Sequence, residues 1–215
     1  MESTVLSDSG ETESLIRRVE GGDEAALCEL FARYRDRLRR MVKLRMDRRL
    51  QGRLDASDVL QEAYLDVAKR AVEYRESPKM PVFLWLRLIT GQRLMALHRQ
   101  HLGAQMRNVG QEVSLHRGAL PPASSISIAA MLLGRITSPT RAARRAELQE
   151  RLQDILNAMD PVDREILTLR HFEELGNGET AQVLGISKSA ASSRYIRAVM
   201  RLKKELAGVP GFFDA

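Results

Sequence analysis

Two stretches of this sequence carry residue types that could act on something outside the chain. The first is Glu179-Thr180-Ala181-Gln182-Val183-Leu184-Gly185-Ile186-Ser187 and the basic run that follows it. Ala181 is small where two helices would cross, Gly185 can take the positive φ of a tight turn, and Ser187 can cap the next helix. In that helix Ala191, Tyr195, Ala198 and Leu202 fall on one side. The other side collects Lys188, Ser189, Ser192, Ser193, Ile196, Arg197 and Arg201. This is the pattern of a helix-turn-helix, whose outer face can enter a major groove with its early residues at base edges. An ordinary helical hairpin with a solvated basic face is the plainer alternative.

The second stretch runs from Asp58 to Tyr74. Apolar pairs at Val59/Leu60, Ala63/Tyr64, Val67/Ala68 and Ala71/Val72 repeat every fourth residue and predict an inward stripe. Asp58, Gln61, Glu62, Leu65, Asp66 and Lys69 are left outside. An exposed leucine framed by carboxylates suits a protein interface better than a DNA-facing surface. Charges on a solvated helix face are the alternative. Catalytic carboxylates are disfavoured, because no histidine, metal motif or second acidic cluster accompanies them.

Other candidates are weaker. His98 and His101 have helical ligand spacing but no third ligand. Cys28 sits on an amphipathic stretch as a small hydrophobe, and as the single cysteine it excludes an intramolecular disulfide. No P-loop or dinucleotide glycine pattern is present. No catalytic residue, metal or cofactor is therefore expected.

Helices must position these residues. Asp23 to Met46 places Leu27, Leu30, Phe31, Tyr34, Leu38, Met41 and Val42 at helical spacing, with Gly21-Gly22 as breaker and Asp23 as N-cap. Pro78 and Pro81 bound a loop before a third helix, Val82 to Gln100, apolar on most sides. Between Leu102 and Arg141 the periodicity fades among Gly103, Gly110, Gly118, Pro121 and Pro122, which reads as a linker with room for a short helix near Ile128 to Leu133. Arg141 to Ala158 is again helical. Asp160-Pro161-Val162-Asp163 then supplies an N-cap, an N1 proline and a first-turn acid for a helix to about Leu175, with Gly176 suited to its C-terminal cap. The fold class is all-α: two small helical domains joined by a flexible linker, the C-terminal one carrying the helix-turn-helix.

Length and charge agree with that division. The 215 residues are 44% hydrophobic, which excludes global disorder, and only 5% aromatic. No apolar run approaches the ~18 residues of a membrane span. Residues 1–14 carry four acids and no bases, unlike a signal or transit peptide, so a cytoplasmic location is expected. The overall net charge of +6 is unevenly spread: residues 15–102 hold 19 bases against 12 acids, and residues 177–215 hold six against three. Two separate basic blocks point to a polyanion such as nucleic acid.

These residues also match a family. Ser187 to Arg197, preceded by Asp160-Pro161 and Arg164-Glu165-Ile166-Leu167, resembles the promoter −35-binding region of bacterial sigma factors. Asp55-Ala56-Ser57-Asp58-Val59-Leu60-Gln61-Glu62-Ala63-Tyr64 is similar to the core-polymerase-binding helix of the same family, and Phe83-Leu84-Trp85-Leu86 with Ile89 to its promoter-melting helix. Two matches in this order, with room for just two domains, are the pattern of the extracytoplasmic-function (ECF) subgroup. Gln92 stands where many members have Asn, Thr180 replaces a usual apolar residue, and the linker is longer than in minimal members.

The resemblance implies a non-enzymatic subunit of RNA polymerase that sets promoter specificity. It implies residues 1–14 as an acidic tail, 15–102 as the polymerase-binding and −10 domain, 103–140 as linker, 141–206 as the −35 domain and 207–215 as a C-terminal tail. Asp58, Gln61, Glu62 and Leu65 would contact polymerase. Tyr74, in the Pro-bounded loop beside Arg75 and outside the inward stripe, would hold a flipped −10 base, while Arg87, Gln92, Arg93 and Arg99 would follow the strand. Trp85 reads as core. Lys188, Ser189, Ser192, Ser193, Ile196 and Arg197 would meet the −35 duplex. The implied partners are core RNA polymerase, promoter DNA and, in regulation, an anti-sigma factor. A helix-turn-helix regulator acting without polymerase is the main rival; a helical adaptor with no DNA role is the second.

Overall fold

The computed structural model describes residues 2–102, 120–136 and 142–209, and among them every regular element is helical. The parts of the expected linker at 103–119 and 137–140, and the tail from 210, lie outside the described residues. The chain forms two compact units.

The first unit comprises Met1–Val42 and Arg48–Glu112. Helix α1 (Glu2–Glu20) runs through the boundary expected after residue 14 and buries Leu15 and Val19. Gly22, at φ 93°, turns the chain in a conformation that L side chains rarely adopt. Asp23 then caps α2 (Glu24–Arg45), its carboxylate accepting the Ala26 N–H at 3.0 Å. Helix α3 (Ala56–Glu76) opens on Asp55, whose own N–H donates to the Asp58 carboxylate at 2.8 Å. Helix α4 (Val82–Leu102) is buried along most of its first three turns, as its apolar run requires. Leu30, Leu38, Leu60, Leu86, Ile89 and Leu94 fill the centre.

Three aromatic pairs stitch this unit together: Phe31 edge-on to Tyr64 at 5.2 Å, Tyr34 tilted on Phe83 at 4.9 Å, and Tyr74 stacked on Trp85 at 4.4 Å. The third pair corrects the sequence reading. Helix α3 continues two residues past Tyr74, so Tyr74 is not in a loop; it is 6% exposed and donates its hydroxyl to the Met80 carbonyl at 2.9 Å. Burial pushes the Tyr74 hydroxyl pKa up. Toward its C-terminus the expected stripe narrows: Val67 is buried, but Ala68 and Val72 are exposed, and Tyr74 supplies the apolar surface instead. Arg87 is also corrected, being only 4% exposed and so unable to follow a strand from where it lies.

The second unit comprises Lys43–Asp47 and Val113–Ala215. Helix α5 (Ser125–Ile136) falls inside the expected linker, yet Ile128, Ala129 and Leu133 are buried in this unit's core with Leu152, Leu156 and Phe172. The segment is therefore part of the fold, because its apolar residues recur at helical spacing and find a partner in α6 (Ala142–Asn157). Asp160 caps α7 (Pro161–Leu167) by accepting the Val162 and Asp163 N–H groups at 2.9 and 3.2 Å, with Pro161 at the first helical position. The helix then widens into one π turn, Thr168–Phe172, and Glu174 takes the positive φ of 56° that ends it. Gly176, expected in that role, has φ −63° and instead opens α8 (Asn177–Leu184), with its N–H held by Glu179 at 2.8 Å.

This core also encloses a charge cluster that sequence pattern did not reveal. Arg45 is buried, donating to the fully buried Glu173 carboxylate, to Glu165 and, at 2.7 Å, to the Pro121 carbonyl. Desolvation opposes its charge, but the two carboxylates outweigh it and raise the guanidinium pKa.

Candidate functional site

The exposed face of α3 is the first candidate surface. Asp58, Gln61 and Leu65 are exposed and Glu62 is half-buried; Leu65, at 58%, is one of the few large apolar side chains turned to solvent. Asp58 holds the Asp55 N–H as well, so it stabilises the helix start it would present to a partner. Beside this face lies an apolar hollow of about 390 Å³, lined by Cys28, Phe31, Leu60, Gln61, Tyr64 and Leu65. Cys28, expected as a small hydrophobe on an amphipathic stretch, is exposed and lines this hollow. Burial, and next the nearby thiol, raise the Tyr64 hydroxyl pKa. The arrangement offers an apolar socket with the exposed Leu65 and Arg35 in its lining, and the carboxylates of Asp58 and Glu62 on the same helix as Leu65. A partner helix with an apolar anchor and cationic neighbours fits it.

Helices α3 and α4 pack together, and on their shared surface lie two residues expected to meet DNA. Gln92 is exposed, and its amide oxygen accepts from Arg70 at 2.7 Å. Arg93 is half-buried, and Asp66 takes its Nε at 2.7 Å and its Nη2 at 2.5 Å while Glu62 lies 3.5 Å from Nη1. Arg75 is half-buried and Arg99 exposed. Of the expected −10 set, then, Gln92 and Arg93 share a surface, whereas Tyr74 and Arg87 belong to the interior. Arg70 and Asp66 were not singled out as partners of these residues. They lie 22 and 27 positions away from Gln92 and Arg93, beyond any spacing rule.

The third surface is on α9 (Lys188–Ala207). The Ser187 hydroxyl accepts the Ala190 N–H at 3.1 Å, and Gly185 at φ 63° makes the turn from α8. Ala191 and Ala198 are buried, with Tyr195 and Leu202 packed partly beneath. Lys188, Ser189, Ser192, Ser193, Ile196, Arg197 and Arg201 are all exposed. The Arg194 guanidinium is drawn aside by Asp163 at 3.1 Å, fixing α9 to the α7 start. The Thr180 hydroxyl is buried with no hydrogen-bond partner among the described residues, a direct consequence of threonine at an apolar position.

Histidines 98 and 101 do not converge, His98 being buried and His101 exposed. Among the described residues no group of three or more His, Cys, Asp or Glu side chains could hold a metal ion, and no helix is long and apolar enough to cross a membrane.

Among the described residues every regular element is helical, with an apolar-centred face carrying carboxylates in one unit and an exposed basic helix in the other. Residues 9–207 match the family model of the ECF sigma factors, and the chain belongs to that family. Among curated relatives, the RNA polymerase sigma-E factor of Streptomyces avermitilis is 42% identical over 55 residues, 26% of this chain and 31% of that protein. Over the part that matches, the chain thus spans about a third of this relative's length. The ECF RNA polymerase sigma factor SigD of Mycobacterium bovis is 25% identical over 194 residues, 90% of this chain and 83% of that one. The RNA polymerase sigma-H factor of Pseudomonas aeruginosa is 25% identical over 201 residues, 90% of this chain and 93% of that one. Among solved structures, CnrH in complex with the cytosolic domain of CnrY is similar with a TM-score of 0.51 at 21% identity, covering 90% of this chain and 95% of that one. That likeness concerns the fold.

Proposed function

We propose that this protein is a promoter-specificity subunit of RNA polymerase, with no enzymatic step of its own, working in the cytoplasm. The family match across residues 9–207, which takes in residues of both units, is the observation that carries the reading. In the first unit, Asp58, Gln61, Glu62 and Leu65 on α3 would dock core polymerase, and Gln92 and Arg93 on α4 would meet the −10 strand. In the second, α8 and α9 form a helix-turn-helix that would dock in the −35 major groove through Lys188, Ser189, Ser192, Ser193, Ile196 and Arg197. Electrostatics favours this division. The α3 face presents the carboxylates of Asp58, Glu62 and Asp66, which oppose phosphate, whereas residues 188–204 contain no acid at all.

Tyr74 and the buried Arg87 take no direct part in this scheme; Tyr74, stacked on Trp85, holds α3 against α4. An anti-sigma factor would be a further protein partner; CnrH, similar in fold, is solved in complex with the cytosolic domain of CnrY. Reversing charge on the α3 face, Asp58→Lys with Glu62→Lys, tests the polymerase assignment. The double variant should fold and lose co-purification with core polymerase, while duplex DNA binding through α9 is retained. Undiminished co-purification would overturn the assignment.

A further inference from the structure

The ion pairs on the α3–α4 surface join two functions that the scheme above keeps apart. Arg93 is expected to face DNA, yet its guanidinium is engaged by Asp66 through two nitrogens and approached by Glu62. Glu62 is one of the residues that would dock polymerase, and Asp66 follows it by four residues, one turn further along α3. The pair is not fully sequestered: Arg93 and Asp66 side chains are 30% and 24% exposed, so rearrangement needs no opening of the core. A phosphate brought to Arg93 in this state would meet a cation already neutralised and a second carboxylate close by.

We propose that Asp66 masks Arg93 in the free protein and that docking of core polymerase on the α3 face releases it to a nucleic-acid phosphate. The proposal rests on the reading of α3 as the polymerase-binding helix. A cationic group of the partner that pairs with Glu62 and Asp66 removes the charge that holds Arg93, and the guanidinium then becomes available to the strand. Polymerase binding and −10 binding are thereby linked, since each favours the same separated state of the Arg93–Asp66 pair. Arg93 acts here as the contacting residue and Asp66 as the positioning residue that withholds it.

The test is a double-mutant cycle on the full chain, with Asp66→Asn, Arg93→Gln and both together. The probe is a labelled 20-nucleotide oligo-dT strand titrated between 0.1 and 1 M salt, first with free protein and then with the protein bound to core polymerase. One phosphate contact on a single strand steepens the salt slope by about 0.7, or roughly fivefold in affinity between those salt concentrations. In the free protein, Arg93→Gln should weaken binding about fivefold more in the Asp66→Asn background than with Asp66 intact. In the polymerase complex that difference should vanish, with Arg93→Gln costing about fivefold whether or not Asp66 is present. A common loss of affinity from removing charge would be additive and shows itself in the cycle as no coupling. Additive effects in the free protein overturn the masking, and coupling that persists unchanged in the complex overturns the release. Circular dichroism on the three variants checks that each is folded. Failure to form the polymerase complex at all would register separately and would overturn the reading of α3 itself, together with the release step.

Discussion

Arg93 on α4 and Arg197 on α9 are both arginines on helices expected to face DNA, and the structure leaves them in opposite states. Asp66 and Glu62 engage Arg93, whereas Arg197 is exposed and, among the described residues, donates back to the Ser193 carbonyl of its own helix at 3.4 Å. The difference lies in the neighbours. Helix α4 packs on an acidic helix, while the exposed side of α9 carries no carboxylate between Lys188 and Lys204. A cation's availability to a polyanion is set by the element across from it, which spacing along its own helix does not reveal.

Substitutions can break this contrast between a closed seam and an open helix face. The largest effect belongs to the seam's interior. Tyr74→Ala removes a ring stacked on Trp85 and a buried hydroxyl bond, and should lower unfolding free energy by about 3–5 kcal/mol in urea titrations. Trp85→Ala should do the same, and the double variant should cost less than the sum because the two rings share one contact. A Tyr74→Ala protein within about 1 kcal/mol of wild type would return Tyr74 to the role of an exposed base contact.

The open face should respond in binding and not in stability. Arg197→Ala is expected to leave the urea midpoint in place and to weaken duplex binding by about 1–3 kcal/mol, with specificity relaxed at one base pair if it reads a base. An even loss over all sequences would make it a phosphate contact; a large drop in stability would show that α9 is less open than its exposure implies. The smallest effect lies on the inner side of α8. Thr180→Val replaces a buried, unpartnered hydroxyl with a methyl group and should raise stability by about 1 kcal/mol. A destabilised valine variant would mean that the hydroxyl does have a partner.

What was legible in the sequence follows the same contrast. Helix existence and caps could be read locally, because Asp23, Asp160 and Ser187 act on backbone groups two or three residues away. The α9 face was readable for a related reason: one side of a helix is fixed by a period of 3.6, and the residues of its other side are exposed among the described residues. Tyr74 was misplaced because the prolines at 78 and 81 suggested a loop that begins later, after Glu76. Its core role depends on Trp85, which only the packing of α3 on α4 brings near. Helix α5 is half-legible: the sequence leaves room for a short helix near Ile128 to Leu133, but the α6 surface that stabilises it is not a property of its own residues. Arg45 was invisible for the strongest reason. Among basic neighbours on α2 it looks like any surface arginine, and the carboxylates that bury it stand 120 and 128 residues away.

The proposed role, giving RNA polymerase its choice of promoter, is open to a direct measurement. Core polymerase, purified free of other specificity subunits, should be supplied with genomic DNA fragments with and without the protein, and the 5′ ends of the transcripts sequenced. A set of new start sites should appear only with the protein, share two sequence elements upstream, and vanish with the Asp58→Lys, Glu62→Lys variant. Start sites that are the same with and without the protein, despite tight binding of the protein alone to duplex DNA, would contradict it and identify a regulator that works apart from polymerase.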